Sequence, residues 1–279
     1  MKTCKHKALH WFTIGHVIPT IALVCAIIGT FRRVDVTFDV LASTDYISYE
    51  TPAFDAGVKW IFKDTELTDG ADGVKEEGAG EFYPAPKVRV RFRRLGKGDL
   101  RIECLAAAGM PVGTFIYNGN SRDLHEFALF TVHNTTNMTN TIYPLVGSIV
   151  VGDALKAAAL SDAPPILREG KVTPIGHSFL SDSRYQGDSV GLEMGDELTV
   201  DSRSPAGGYG FLLIDQRPSI NTVYRAIGRV VRVDRFGGTG FDIDLSLISR
   251  VKNDAVLQGF WGAFIFITGL HFIKAAEKD

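Results

Sequence analysis

The densest run of reactive side chains is His177–Ser189, followed closely by Glu193 and Asp196. It holds one histidine, four serines (Ser178, Ser181, Ser183, Ser189) and the carboxylates Asp182 and Asp188. A serine attacks a carbonyl only when a base within hydrogen-bond reach takes its proton. Nearness in sequence does not supply that geometry, and no nucleophile-elbow pattern is present. Asp64–Glu81 gathers seven acids, four glycines and one lysine. Clustered carboxylates suit a hard cation such as calcium, but the EF-hand ligand order is absent, so a mobile acidic loop is the plainer expectation. Asp234–Phe241 is glycine-rich but lacks the Walker and dinucleotide patterns, and it reads as a hairpin turn. His10, His16 and His271 fall in apolar runs, where paired histidines on neighbouring helices could ligate a haem iron. No Cys/His spacing forms a zinc site, and no cofactor is expected.

One cationic pattern stands apart from these. Lys87, Arg89, Arg91 and Arg93 alternate with Val88, Val90 and Phe92, so the cations line one face of a strand and the apolar residues the other. The hairpin continues through Leu95–Asp99 and adds Arg94, Lys97 and Arg101, seven cations in all. Such a face suits an anionic partner or lipid headgroups. It also suits a solvated sheet face whose charges discourage edge-to-edge aggregation.

The elements that must position these residues begin with two apolar runs. Leu9–Phe31 is 23 residues and Ala255–Ile273 is 19, both without a formal charge. A bilayer core about 30 Å thick is crossed by roughly 20 apolar helical residues, so each run predicts a transmembrane helix. The first is preceded by Lys2, Lys5 and Lys7 and has no A-x-A site before Arg32, which favours a retained anchor over a cleaved signal. Pro19 predicts a kink in it. Small residues four apart, Ala22/Ala26 in the first helix and Gly259/Ala263 in the second, predict a close helix–helix contact. Five lysines in the tails against four cations on the inner flanks place the tails in the cytoplasm and the middle domain outside, by a margin of one charge.

Between the helices the chain reads as mainly β. Val34–Val40 alternates strictly. Further strands are expected at 45–49, 58–62, 87–94, 100–105, 112–117, 124–133 and 142–151, and then at 171–174, 189–192, 197–200, 209–214, 222–233 and 241–247. Asp153–Leu160 is alanine-rich and predicts a short helix, and Ser161–Pro165 marks a boundary between residues 32–160 and 166–254, either two subdomains or one continued. Asn134 and Asn137 open formal glycosylation sequons. Cys104 is the one cysteine outside the apolar ends, so no disulfide forms within this region. With the five cations and two acids of the tails removed, the middle keeps 25 cations and 30 acids, which argues against nucleic acid as a partner. The expected architecture is therefore one or two β-sandwich-like domains held between an N-terminal and a C-terminal transmembrane helix.

Two resemblances follow from particular residues. Gly195-Asp196-Glu-Leu-Thr-Val200 resembles the Gly-Asp step of membrane-anchored serine signal peptidases, and Val223–Gly228 resembles their lysine strand. That likeness implies Ser189 as nucleophile; but Ser189 is followed by Val190 where those enzymes carry Met, and Arg225 stands at the lysine position, where arginine stays protonated and cannot act as base. The layout as a whole, closing on a helix with Trp261-Gly262 and Gly269-Leu270, is similar to uncharacterised bacterial membrane proteins built as helix, β domain, helix. It implies an integral protein of the plasma or inner membrane whose partners are the bilayer and a protein partner or second copy, acting as a binding or assembly subunit without evident catalysis. A serine peptidase and a haem or redox subunit are the alternatives.

Overall fold

The structure is a computed structural model that describes residues 35–70, 73–94, 98–133, 141–152, 166–178, 182–202, 204–205, 207–235 and 238–276. The segment Leu9–Phe31 with Ala22 and Ala26, the sequons, Lys97, and the stretch 153–165 lie outside the described residues. The fold is mainly β: seventeen strands among the described residues join one hydrogen-bonded sheet, and every pairing of described register is antiparallel. The chain divides into two compact units. The larger holds residues 37–174 and 189–244; of the described residues the smaller draws on 35–36, 175–188 and 245 onward.

In the larger unit the strands are β1 (Val36–Thr44), β2 (Tyr46–Glu50), β3 (Trp60–Asp69), β4 (Val74–Pro84), β5 (Arg89–Arg94), β6 (Leu100–Leu105), β7 (Gly113–Tyr117), β8 (Asn120–Leu124), β9 (Phe127–Val132) and β10 (Thr141–Val151). They continue as β11 (Leu167–His177), which runs on into the smaller unit, then β13 (Val190–Leu192), β14 (Glu197–Ser202), β15 (Gly208–Ile214), β16 (Ile220–Asp234) and β17 (Phe241–Ile243). The short β12 (Arg184–Gln186) pairs with the end of β11 in the smaller unit. The sheet runs β11, β1, β16, β15, β10, β2, β5, β6, β9, β3, β4, β7, β8. Strands β14 and β15 act as one interrupted strand, since both lie between β10 and β16 and run the same way.

Period-two alternation builds these strands. Val36, Phe38 and Val40 of β1 are buried as their spacing predicts. The core is aromatic: Trp60 packs against Tyr49, Phe82, Phe92 and Tyr143, and Phe62 stacks on Phe130 with ring centroids 4.8 Å apart. The Trp60 indole N–H donates to the Pro144 carbonyl at 3.0 Å, which satisfies its one polar atom inside the core.

Four local expectations change. Asp64–Glu81 is the β3–β4 hairpin, not a loop, because Phe62, Thr65 and Leu67 turn inward while most of its acids face out. Its glycines make room: a Cβ on Gly80 would lie 2.4 Å from the Phe115 ring. The strand expected from Lys87 begins at Arg89, because Lys87 takes a left-handed turn conformation (φ 58°) and the Val88 N–H donates to the Thr51 hydroxyl. Asn118-Gly119, both at positive φ, makes a tight turn that adds β8, a strand absent from the sequence expectation. Residues 241–247 end as strand at Ile243, because Ser246 caps helix α1 (Leu247–Asn253) by accepting from the Ser249 N–H. Only Asp254 separates α1 from helix α2 (Ala255–Ala276).

Arg94 is the largest departure. Counted by sequence among the outward cations, it is fully buried, and its guanidinium donates to the carbonyls of Ser219 (3.2 Å) and Asp215 (3.0 Å) in the β15–β16 loop. Burial lowers its pKa from the ordinary arginine value, which the attraction of Asp215 partly opposes. Arg94→Met keeps much of the bulk but strips two carbonyls of their donors. It is expected to lower stability by about 2–4 kcal/mol, read as a reduced urea midpoint with an unchanged slope.

Candidate interaction surfaces

The residues expected to do chemistry are dispersed. The Ser189 hydroxyl bonds the Thr173 hydroxyl at 2.9 Å, so its described partner is another neutral alcohol and not a base. Arg225, at the signal-peptidase lysine position, is held by both carboxylate oxygens of Asp39, the second at 2.6 Å. The hydrogen bonds to Asp39, then to Tyr209, raise its pKa further above an already high value. Asp196, of the Gly-Asp step, is buried; it accepts the Glu193 N–H at 2.8 Å and pairs with Arg235, so it fastens the turn before β14. Arg235 also lies 5.1 Å above the Phe241 ring. In the smaller unit, Ser178 bonds Asp254 and not a histidine in the described contacts.

Three acids of the β3–β4 hairpin, Asp69, Glu76 and Glu81, are engaged by cations. The buried Asp69 carboxylate accepts the His125 backbone N–H at 2.9 Å, meets its ring Nδ1 at 3.1 Å and lies 3.7 Å from Arg122, which also pairs with Glu76 at 3.3 Å. Glu81 pairs with Lys59 at 3.1 Å and accepts from the Tyr83 hydroxyl, contacts that lower its pKa. Among the described residues no group of three or more His, Cys, Asp or Glu could hold a metal ion. Burial raises the pKa of the Cys104 thiol, so it stays protonated and unreactive. His10 and His16 lie outside the described residues, as does the His271 side chain.

Three surfaces remain. The first is the cationic stripe. Arg89, Arg91 and Arg93 share the outer side of β5, opposite Val90 and Phe92; Lys87 precedes the strand. Strand register sets Arg91 beside Ser48, Val150 and Thr199 in one cross-strand row. Arg89 and Arg91 border a shallow trough of about 380 Å³ that also holds Ser48, Ser148, Glu50 and Glu197. Arg91 lies 3.8 Å from Glu103, a loose and exposed pair.

The second surface is apolar and spans four neighbouring strands. On β10 and β15, Pro144 sits opposite Phe211 and Val146 opposite Tyr209; Phe211 in turn faces Val223 of β16. Ile142 and Tyr209 are 56% and 58% exposed, and Leu41 of β1 is half exposed. A hollow of about 400 Å³ lies among Leu41, Pro144, Val146, Phe211 and Val223, with the Asp39–Arg225 pair at its margin. Apolar side chains gathered this way on one sheet face, rather than scattered singly, mark an area that excludes water when covered.

The third surface is α2. Its first turn is packed, with Leu257 buried. Beyond it Trp261, Ile265, Phe266 and Leu270 are exposed, Phe266 at 66%. At about 100° per residue, Trp261 and Leu270 point to opposite sides, so the helix is apolar all round. A Cβ on Gly259, Gly262 or Gly269 would meet nothing within 4 Å, and Ala263 is exposed, so the small face Gly259/Ala263 is open. Among the described residues no helix is long and apolar enough to cross a membrane, and the side-chain description of α2 stops at Leu270. Sequence reasoning missed the apolar sheet face, although the outward positions of β10, β15 and β16 carry Ile142, Phe211 and Val223 where a solvated strand would carry polar residues. No known protein family, curated protein or solved structure matches the chain.

Proposed function

We propose that the chain is a membrane-anchored β-domain protein that serves as a binding or assembly subunit of a membrane or envelope complex. The observation that carries this is α2, a helix with apolar side chains bare on opposite sides. A helix apolar all round is stable only in a protein core or in lipid. Followed to Ala276 it has 22 residues, a rise of about 33 Å against a hydrocarbon core of about 30 Å. In this reading Leu9–Phe31 is the second anchor, its Ala22/Ala26 face meets Gly259/Ala263, and the β domain lies outside the cytoplasm. The apolar face on β10, β15 and β16 is covered by a protein partner; the Asp39–Arg225 pair beside it is already neutralised and offers that partner no net charge.

The test is fractionation followed by purification in mild detergent. The wild type is expected to stay in the membrane pellet through alkaline carbonate and to co-purify with a stoichiometric protein. Adding Ile265→Lys and Phe266→Lys, each costing about 3 kcal/mol at the centre of a span, is expected to shift the protein towards the soluble fraction. A wild type fully released by carbonate would overturn the anchor. A strictly monomeric preparation would overturn the subunit role.

A further inference from the structure

From the junction of the two helices we propose that α1 lies in the headgroup layer of the bilayer, with Ile248 inserted among the upper acyl chains and Lys252 against anionic headgroups. This rests on the anchor reading of α2 and adds a second, peripheral contact. Three observations carry it. Ile248 is 80% exposed, the most exposed large apolar side chain among the described residues. Lys252 lies four residues on, on the same side of the helix, and is also exposed, whereas Ser249, about 100° round the helix from Ile248, is buried and bonds Asn253. One face of α1 is therefore seated in its own unit, and the other offers an apolar residue and a cation.

The second observation is the stiffness of the elbow. The Asp254 N–H closes α1 on the Arg250 carbonyl at 2.9 Å, and its carbonyl opens α2 by accepting the Gln258 N–H at 2.9 Å. Its buried carboxylate caps α2 through the Val256 N–H at 2.9 Å and is held by the Ser178 hydroxyl at 2.8 Å. These bonds, all on one residue, tie the end of α1 to the start of α2.

The third is distance. Seven helical residues extend about 10 Å, and the polar layer on each side of the hydrocarbon core is several Å deep. With all 22 residues of α2 needed to cross the core, the span begins near Ala255, and α1, which ends two residues before it at Asn253, falls within or beside that layer. Arg250 and Lys252 also suit the negative end of α1, which alone would explain the cations. It does not explain Ile248, which in water would expose nearly all of its apolar surface for no return.

The test uses full-length protein in nanodiscs, with Cys4→Ser and Cys25→Ser to leave only buried Cys104, and an environment-sensitive fluorophore on Ile248→Cys or, separately, on Phe266→Cys. Quenching is measured with nitroxide placed high or low on the acyl chain. The expected result is at least about a twofold loss of emission at position 248 with the high nitroxide, less with the low one, and weaker quenching after Lys252→Glu or when anionic lipid is omitted. Quenching at 266 without quenching at 248 overturns the inference and leaves the anchor standing. No quenching at either position overturns both.

Discussion

Trp60→Ala is expected to leave the β domain largely unfolded at room temperature. The indole is fully buried against four aromatic rings, and its N–H is the donor for the Pro144 carbonyl of β10. Truncating a buried tryptophan costs about 3–5 kcal/mol through lost transfer energy and the cavity left behind. The orphaned carbonyl adds about 1–3 kcal/mol. Together these rival the whole stability of an ordinary domain, about 5–15 kcal/mol. Urea denaturation followed by circular dichroism checks this. Trp60→Phe, which keeps a ring but not the donor, should fall between the wild type and the alanine variant. A near-native midpoint for Trp60→Ala would show that the aromatic cluster is not the centre of the fold.

Gly147→Ala is expected to do comparable damage by the opposite route, crowding instead of a void. Gly147 sits in β10 at φ +152°, where β2 presses against it: a Cβ there would lie 1.9 Å from the Glu50 carbonyl oxygen. From the other side, a Cβ on Gly207 would come within 2.2 Å of the Gly147 carbonyl carbon. The Tyr224 hydroxyl fastens the crossing, donating to the Gly147 carbonyl at 2.5 Å and accepting the Gly208 N–H at 2.9 Å. None of the colliding atoms is a flexible side-chain end, so backbone must move and the β2–β10 ladder must open. The expected cost is at least about 3 kcal/mol. Tyr224→Phe removes only the fastening and should cost about 1–2 kcal/mol. Both are read as urea midpoints, and equal midpoints for the two variants would refute the steric account.

The strands were legible in the sequence wherever apolar and polar residues alternate, as in Val36–Val40 and Val90–Phe92. The same alternation carried one step further places position 94 inside. It was obscured because the residue there is arginine, and the carbonyls that receive it come more than 120 residues later. Charge hid what period two predicted. The Asn118-Gly119 turn was a readable hairpin signal between two short runs, and Ser246 was a readable cap. Register and sheet order were not readable, because they depend on which of many similar strands meet. The apolar sheet face was hidden for a related reason: its residues come from β1, β10, β15 and β16, and only pairing makes them neighbours.

The Asp39–Arg225 clamp joins residues 186 positions apart, and β1 pairs with β16. A ribosome adding about 5–20 residues per second needs roughly 10–40 s to bring the second half of that clamp into being. Throughout that interval β1 lacks at least one of the two strands that flank it, β11 and β16, and an unpaired edge is a template for wrong partners. Synthesis therefore delivers a domain that cannot close until most of the chain has emerged, and whatever shields β1 during those seconds governs how much of the protein escapes aggregation.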